Sequence, residues 1–145
     1  MLNDGGPPIG QGAPAALATS APEPGQYSIS KADAFGVICG EGSGVWAPAQ
    51  IDAFFCEFEV VTVDGRARFG AIRVLLDLRL ALVSGREGFD RMVAGTQRIY
   101  RPEDRLAMVV QSTLVKMQMR RLQFRAQTAY FTSVYAARAW LDAES

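Results

Sequence analysis

Two apolar segments, Ala71-Ile-Arg-Val-Leu-Leu-Asp-Leu78 and Arg105-Leu-Ala-Met-Val-Val110, decide the fold class of this chain. Both are short and rich in branched residues, which is the composition of strands buried on both faces of a parallel sheet. Segments with helical spacing lie between and after them, so residues 71–141 alternate strand and helix with little loop. This alternation predicts an α/β domain.

Upstream of these segments, the pattern predicts an antiparallel hairpin followed by a helix. Residues 27–30 and 35–40 have the character of two strands, and a flexible loop is expected at Glu41–Gly44. A helix opens near Pro48 and ends at Asp64-Gly65. Its apolar stripe comprises Ile51, Phe54, Phe55, Phe58 and Val61.

Downstream, the pattern predicts two helix–strand pairs and a final helix. A loop is expected at residues 80–86, and a helix at about 86–100. The next helix, over about 113–126, is expected to be capped by Ser112. The chain then forms a strand at 128–131 and a last helix, capped by Thr132 or Ser133, that continues to Leu141.

The length of 145 residues and the apolar content of 49% fit one domain with a core of its own. Residues 1–25 are rich in Gly, Pro, Ala and Ser and carry few charges, so we expect a disordered tail there. The folded domain is then expected over residues 26–145.

Charge and hydrophobicity argue against several classes of protein. Fifteen basic residues balance fifteen acidic ones, so no overall field attracts the chain to nucleic acid. No apolar run is long enough to span a bilayer, and the N-terminus lacks the regions of a secretory signal. We therefore expect a cytoplasmic protein, in which Cys39 and Cys56 are reduced core residues and not a disulfide.

The chain has no histidine. This removes the commonest general base, the usual partner of Ser and Cys nucleophiles, and most zinc-ligand sets. No metal-ligand cluster is visible, and Gly40–Gly44 resembles a phosphate-binding loop only in composition. We expect a protein that is not an enzyme and needs no cofactor.

The candidate site lies at the predicted carboxyl end of the central strand, where open α/β sheets bind their ligands. Asp77 lies there, and Ser84-Gly85 follows at the start of a helix, where backbone N–H groups can hold an anion. We therefore predict that Asp77, Ser84 and Gly85 belong to an interaction or switch loop. The structural alternative is that Asp77 orders the loop and Ser84 caps the helix.

Two further features have both a structural and a functional interpretation. The third predicted helix is basic through Lys116, Arg120, Arg121 and Arg125, and is either a solvated flank or a docking surface for an acidic partner or lipid head group. Aromatic and methionine side chains form the core or line an apolar ligand pocket; these are Phe54, Phe55, Phe58, Met92, Met117 and Met119.

The order hairpin, helix, strand, helix, strand, helix, strand, helix over residues 26–141 resembles the SpoIIAA-like (STAS-type) domains, in particular the small bacterial branch grouped with STAS and CRAL-TRIO domains. The resemblance implies a mixed sheet of four to five strands, built from an N-terminal hairpin and then β-α repeats, with about four helices. It is based on Trp46, 73–78, 100–107, 131–133, Ala137, Trp140 and Leu141.

The resemblance also implies a function. STAS domains that act as anti-sigma-factor antagonists are phosphorylated on a serine after the central strand, and Ser84 falls near that place. Asp77 matches an aspartate of their central strand, whereas Val83 stands where they have an aspartate before the serine. We expect a regulatory module whose partner is another protein. Because the related CRAL-TRIO domains bind lipids, binding of an apolar small molecule or lipid is the alternative.

Overall fold

The computed structural model describes residues 24–143, which form five strands and four helices. The strands are β1 (Gln26–Ile29), β2 (Val37–Gly44), β3 (Arg73–Ala81), β4 (Arg105–Val109) and β5 (Gln127–Phe131). The helices are α1 (Pro48–Phe69), α2 (Arg86–Ile99), α3 (Thr113–Arg120) and α4 (Val134–Asp142). Nearly all of the predicted tail lies outside the described residues.

The five strands form one mixed sheet in the order β1-β2-β3-β4-β5. β1 is antiparallel to β2, and the other neighbours are parallel. Because the sheet follows the order of the chain, right-handed crossovers place α1, α2 and α3 on the same face. The predicted α/β class, with its hairpin and β-α repeats, is confirmed.

Two apolar cores, one on each face of the sheet, pack the sheet against its helices. The larger core fills the space between the sheet and α1–α3, and Phe58, Tyr100 and Leu106 are among its most deeply buried members. The smaller core lies under α4 and consists of Val37, Leu75, Ala107, Val109, Ala137 and Leu141. Buried β3 and β4 therefore have apolar contacts on both faces, as their sequences predict.

The prediction that α1 ends at Asp64-Gly65 is wrong, because the helix continues to Phe69. Thr62 and Gly65 are buried and extend the inward stripe of the helix beyond Phe58, so packing against the sheet overrides a sequence that favours a turn. The helix ends at Gly70, which has a φ of 84° and donates its N–H to Arg66 O at 2.9 Å.

The flexible loop expected at Glu41–Gly44 is instead the second half of β2. Its glycines make room for neighbouring side chains: a Cβ on Gly42 would lie 2.5 Å from Trp46 Cζ2. The indole lies over this glycine, and its Nε1 donates a hydrogen bond to Ser43 O at 3.0 Å. The glycine-rich composition therefore reflects close packing in a strand.

Other boundaries also differ from the predictions. β3 continues through Leu80 to Ala81, where a loop was expected, and the second strand begins at Val37, which leaves Phe35 exposed. α3 ends at Arg120 and not near residue 126, since Gln123 adopts a φ of 54° that no α-helix accommodates.

The expectation that both cysteines belong to the core is only partly met. Cys56 is exposed, and Cys39 is partly buried and packs against the smaller core. Both are free thiols. The capping predictions were correct for two helices: Ser112 accepts a hydrogen bond from Val115 N, and Ser133 accepts one from Ala136 N.

A buried ion pair connects the elements that meet at the edge of the sheet where the parallel strands begin. Asp104 has no solvent-exposed surface, and its carboxylate accepts two hydrogen bonds from the Arg66 guanidinium, at 2.7 and 2.8 Å. It also accepts bonds from Ile72 N and Arg101 N. Arg66 donates further to Ile99 O, so one pair joins α1, β3, α2 and β4.

Emptying the aromatic site at Phe58 is expected to cost about 3–5 kcal/mol of unfolding free energy. Phe58 is 1% exposed, stacks on Phe54 and packs against the tilted ring of Tyr100, so Phe58→Ala leaves a cavity that its neighbours fill only in part. Urea denaturation followed by circular dichroism measures the loss. The control is Val60→Ala, on the exposed side of the same helix, which should change stability by less than about 0.5 kcal/mol.

The Asp104 carboxylate is expected to make stability depend on acid pH. Burial alone would raise its pKa, but hydrogen bonds from Arg66, Arg101 N and Ile72 N outweigh this and lower the pKa. The stabilisation is therefore complete above the unfolded-state pKa of about 4 and is lost as the pH falls through the lower folded value.

Asp104→Asn should cost about 3 kcal/mol at pH 7, because it leaves the Arg66 charge without its buried partner. Urea denaturation between about pH 7 and pH 3 measures both effects, and the variant should lack the part of the acid slope that Asp104 contributes. Asp64→Asn, at an exposed aspartate on α1, is the control. An unchanged slope in Asp104→Asn would contradict this assignment.

Candidate functional site

The three predicted site residues lie near the edge of the sheet where the parallel strands end. Asp77 is the middle residue of β3 and not at its carboxyl end as expected, because the strand continues four residues further to Ala81. Ser84 lies in the loop between β3 and α2, and Gly85 is the N-cap residue of α2. Ser84 and Gly85 are thus consecutive residues of one loop, whereas Asp77 lies within a strand and contacts other side chains.

Ser84 is fastened to α3 by the side-chain amide of Gln118. Ser84 N donates to Gln118 Oε1 at 2.9 Å, and Gln118 Nε2 donates to Ser84 O at 2.8 Å. Neither bond involves the Ser84 hydroxyl. The clamp therefore holds the backbone of the loop in place and leaves the hydroxyl free for other contacts.

The structural alternative for Ser84, that it caps α2, is wrong. Gly85 is the N-cap residue, with extended backbone, and no side chain caps the helix. Ser84 packs against the first turn instead, since a Cβ placed on Gly88 would lie 3.2 Å from Ser84 Cβ. Any role of the Ser84 hydroxyl is thus separate from helix capping.

Asp77 pairs with Arg79, two positions further along β3 and on the same face of the sheet. Arg79 Nε donates to Asp77 Oδ1 at 2.9 Å, and Arg79 Nη2 donates to Oδ2 at 2.7 Å. These bonds from Arg79 lower the pKa of the Asp77 carboxyl. Asp77 therefore orients an arginine and makes no hydrogen bond to the 82–85 loop.

Asp77 and Ser84 lie on different sides of the sheet. Asp77 and Arg79 face the side of the sheet that carries α4, where they line an open polar groove of about 440 Å³ with Glu41 and Gln111. Tyr27 also borders this groove, but its ring packs against Trp46 and Phe54, and its hydroxyl donates to Glu57 of α1, a hydrogen bond that raises its pKa to about 12. Ser84 lies on the other side, next to α3.

An apolar cavity of about 80 Å³ lies behind the Ser84 loop, between the sheet and α1–α3. Four of the six residues predicted to line an apolar pocket do so: Phe54, Phe55, Met92 and Met119. Phe58 is a core residue that does not line it, and Met117 is 56% exposed on α3. Some of these side chains therefore line the cavity while others fill the core, and both groups lie on the face of the sheet covered by α1–α3.

Exposed apolar side chains lie in the Ser84 loop and on α3, which Gln118 joins to that loop. Leu82 and Val83 directly precede Ser84, whereas the exposed Leu80 borders the groove at Asp77 and Arg79. On α3, Leu114 and Met117 are also exposed. Leu114 lies one helical turn before Gln118, and Met117 directly precedes Gln118. Such clustering of large apolar side chains on a surface is typical of an interaction site.

Sequence reasoning missed Gln118 and Arg79. Gln118 is 34 positions from Ser84, so no local pattern connects the two. Arg79 was detectable, because alternation along a strand places it on the same side as Asp77. Among residues 24–143, no group of three or more acidic or cysteine side chains is arranged to hold a metal ion. Within the same range, no helix has the length and hydrophobicity that crossing a membrane requires.

Gln118→Ala is expected to loosen the Ser84 loop without unfolding the domain. It removes two hydrogen bonds to the backbone, each worth about 0.5–1.5 kcal/mol. Hydrogen exchange at the Ser84 amide should accelerate, while amides in β4 keep their protection. Gln97→Ala, at an exposed position of α2, is the control. Unchanged exchange at Ser84 would mean that the clamp does not hold the loop.

No family model matches the sequence, and no curated protein matches it either. The structure is similar to the crystal structure of an anti-sigma factor antagonist from Mycobacterium paratuberculosis, with a TM-score of 0.57 and 14% sequence identity. The match covers 82% of this chain and 95% of that chain. At this low identity the similarity concerns the fold, and it agrees with the arrangement of strands and helices described above. The domain has the SpoIIAA-like (STAS-type) fold.

Proposed function

We propose that this domain is a non-enzymatic, cytoplasmic regulatory module that binds another protein through the edge around Ser84. The observation that carries the proposal is the group of exposed apolar side chains beside this serine, on a loop fastened to α3. Leu82, Val83 and Met117 do not stabilise the monomer while they are exposed to water, whereas a partner that covers them would remove this apolar surface from water and so favour binding.

The structural similarity supports a protein partner. The protein of similar fold is described as an anti-sigma factor antagonist, and its fold covers most of this chain. The position of Ser84, after the central strand and before α2, also agrees with the position of the regulatory serine in STAS domains that switch partners. We take Ser84 as the residue at which charge controls binding in this chain.

Phosphorylation of Ser84 would change this surface electrostatically. A phosphate adds nearly two negative charges at the start of α2, where the helix dipole and free N–H groups tolerate it. The same charge would lie beside Leu82 and Val83, where a partner that covers these side chains would have to desolvate it. The fold is therefore expected to survive the modification, while binding weakens.

Ser84→Asp should reduce binding of a partner identified by co-purification, while Ser84→Ala binds like wild type. The partner is expressed separately, and its dissociation constant is measured by isothermal titration calorimetry for all three proteins. Circular dichroism and thermal unfolding of each variant establish that the fold is kept. Equal affinity for all three proteins would contradict a role for charge at Ser84.

Binding of an apolar small molecule is the second candidate, and the cavity behind the loop favours it. Its volume of about 80 Å³ is smaller than the roughly 150 Å³ cavity that holds benzene in an engineered protein. A fatty acid would therefore require the loop to open. Mass spectrometry of organic extracts from the purified protein tests this candidate: a stoichiometric apolar molecule would favour it over protein binding.

A further inference from the structure

Charge is strongly segregated along this chain despite its net charge of zero. Between Asp104 and Asp142 there is no acidic residue, and the basic residues in this stretch are Arg105, Lys116, Arg120, Arg121, Arg125 and Arg138. Four of the six belong to α3 or to the turn and loop that follow it. The acidic residues that balance them lie elsewhere in the chain, so α3 is locally positive.

α3 presents an apolar strip with basic residues along one side and at its C-terminal end. Val115 and Met119 are buried, and at 100° per residue Met117 lies opposite them, with Leu114 beside it. Leu114 is 65% exposed and Met117 is 56% exposed. Lys116 and Arg120 flank the strip on the side of β5, and Arg121 follows it as the C-cap residue of α3, with its guanidinium over Phe89 of α2.

The basic side chains of α3 are held in place by aromatic rings and not by acidic neighbours. Lys116 Nζ and the Arg120 guanidinium each lie 5.7 Å from the centre of the Tyr130 ring, and Arg121 lies 5.3 Å from that of Phe89. None of the three forms a salt bridge with another described residue.

By contrast, several basic residues on the α1–α2 face are paired with carboxylates. Arg91 contacts Asp52 and Glu87, and Arg98 contacts Glu59. The charge on α3 is therefore available to a partner, and the aromatic contacts limit the conformational entropy that its side chains lose on binding.

We propose that α3 binds an acidic amphipathic helix of a partner protein. Such a helix carries an apolar stripe bordered by Glu or Asp, which is the complement of the Leu114–Met117 strip and of the basic residues beside it and at its C-terminal end. This inference rests on the proposed function, because Gln118 joins the strip directly to the Ser84 loop and makes the two surfaces continuous.

The structure favours a protein helix over a membrane or nucleic acid. α3 has eight residues and is anchored by Val115, Met119 and Gln118, so it offers too little apolar surface to insert into an interface between lipid and water. Nucleic acid is bound chiefly through contacts to phosphate, which would leave the exposed Leu114 and Met117 side chains beside the basic residues unused.

The test uses three helical peptides of about 18 residues with one shared apolar stripe, flanked by Glu, Gln or Lys. Binding to the full chain is measured by fluorescence anisotropy, and amide shifts locate the contact. The Glu peptide is expected to bind best and to shift amides of residues 113–121. Its affinity should fall between about 50 and 300 mM salt, because exposed charges are screened.

Two pairs of substitutions separate charge from apolar contact. Arg120→Gln with Arg121→Gln should weaken binding of the Glu peptide about three- to tenfold and reduce its salt dependence. Leu114→Ser with Met117→Ser should weaken the Glu and Gln peptides alike, by about tenfold. Lys31→Gln, at an exposed lysine in the β1–β2 loop, is the matched control and should have no effect.

The proposal is overturned if the Glu peptide binds no better than the Gln peptide, or if its amide shifts fall outside α3 and the Ser84 loop. It is also overturned if phosphatidylglycerol vesicles or a DNA duplex bind the chain while no peptide does. A co-purified partner that is sensitive to Ser84→Asp but not to the α3 substitutions would refute this inference alone. Sensitivity to the α3 substitutions alone would refute the role of charge at Ser84.

Discussion

The buried ion pair between Asp104 and Arg66 is the interaction on which the rest of the structure depends. Four elements, α1, α2, β3 and β4, meet where the parallel strands begin, and several backbone groups there are bonded to the side chains of this pair and not to other backbone groups. Asp104 supplies an acceptor for the N–H groups of Ile72 and Arg101, and Arg66 supplies a donor for the carbonyl of Ile99. Without the pair, these groups would be buried and unpaired, and the crossovers would lose their common anchor.

The two edges of the sheet consequently differ in character. At the edge where the strands begin, arginines also hold the end of α4: Arg73 donates to Leu141 O, and Arg105 donates to the carbonyls of Trp140 and Ala143. At the opposite edge, the loop at Ser84 depends on the amide of Gln118. One edge thus provides stability, and the other offers exposed side chains whose substitution costs the fold little. This division allows a binding surface to vary while the scaffold stays the same.

The sequence predicts those parts of the fold that depend on local patterns. The buried strands, the stripe on α1 and the caps at Ser112 and Ser133 follow from composition and spacing, and the resemblance arranges them in one sheet. The expected ends at Asp64-Gly65 and Glu41–Gly44 were wrong because contacts distant in sequence replace the turns that these glycines suggest. The site was predicted in outline only: Ser84 and Asp77 were identified, but Asp77 faces the α4 side of the sheet, whereas the loop after β3 places Ser84 beside α3. The clamp from Gln118 depends on tertiary packing, which no single stretch of sequence reveals.

The antiparallel direction of β1 has a practical consequence. Because β1 runs against its neighbours, the chain enters the sheet beside Val45 and Trp46, close to where the parallel strands end. α4 instead finishes at the starts of β3 and β4. A fluorophore, affinity tag or fused protein placed ahead of Pro24 is therefore tethered on the same edge as Ser84, next to the proposed binding surface. One attached after Ala143 is tethered on the far edge, so fusion at that terminus leaves the proposed surface unobstructed.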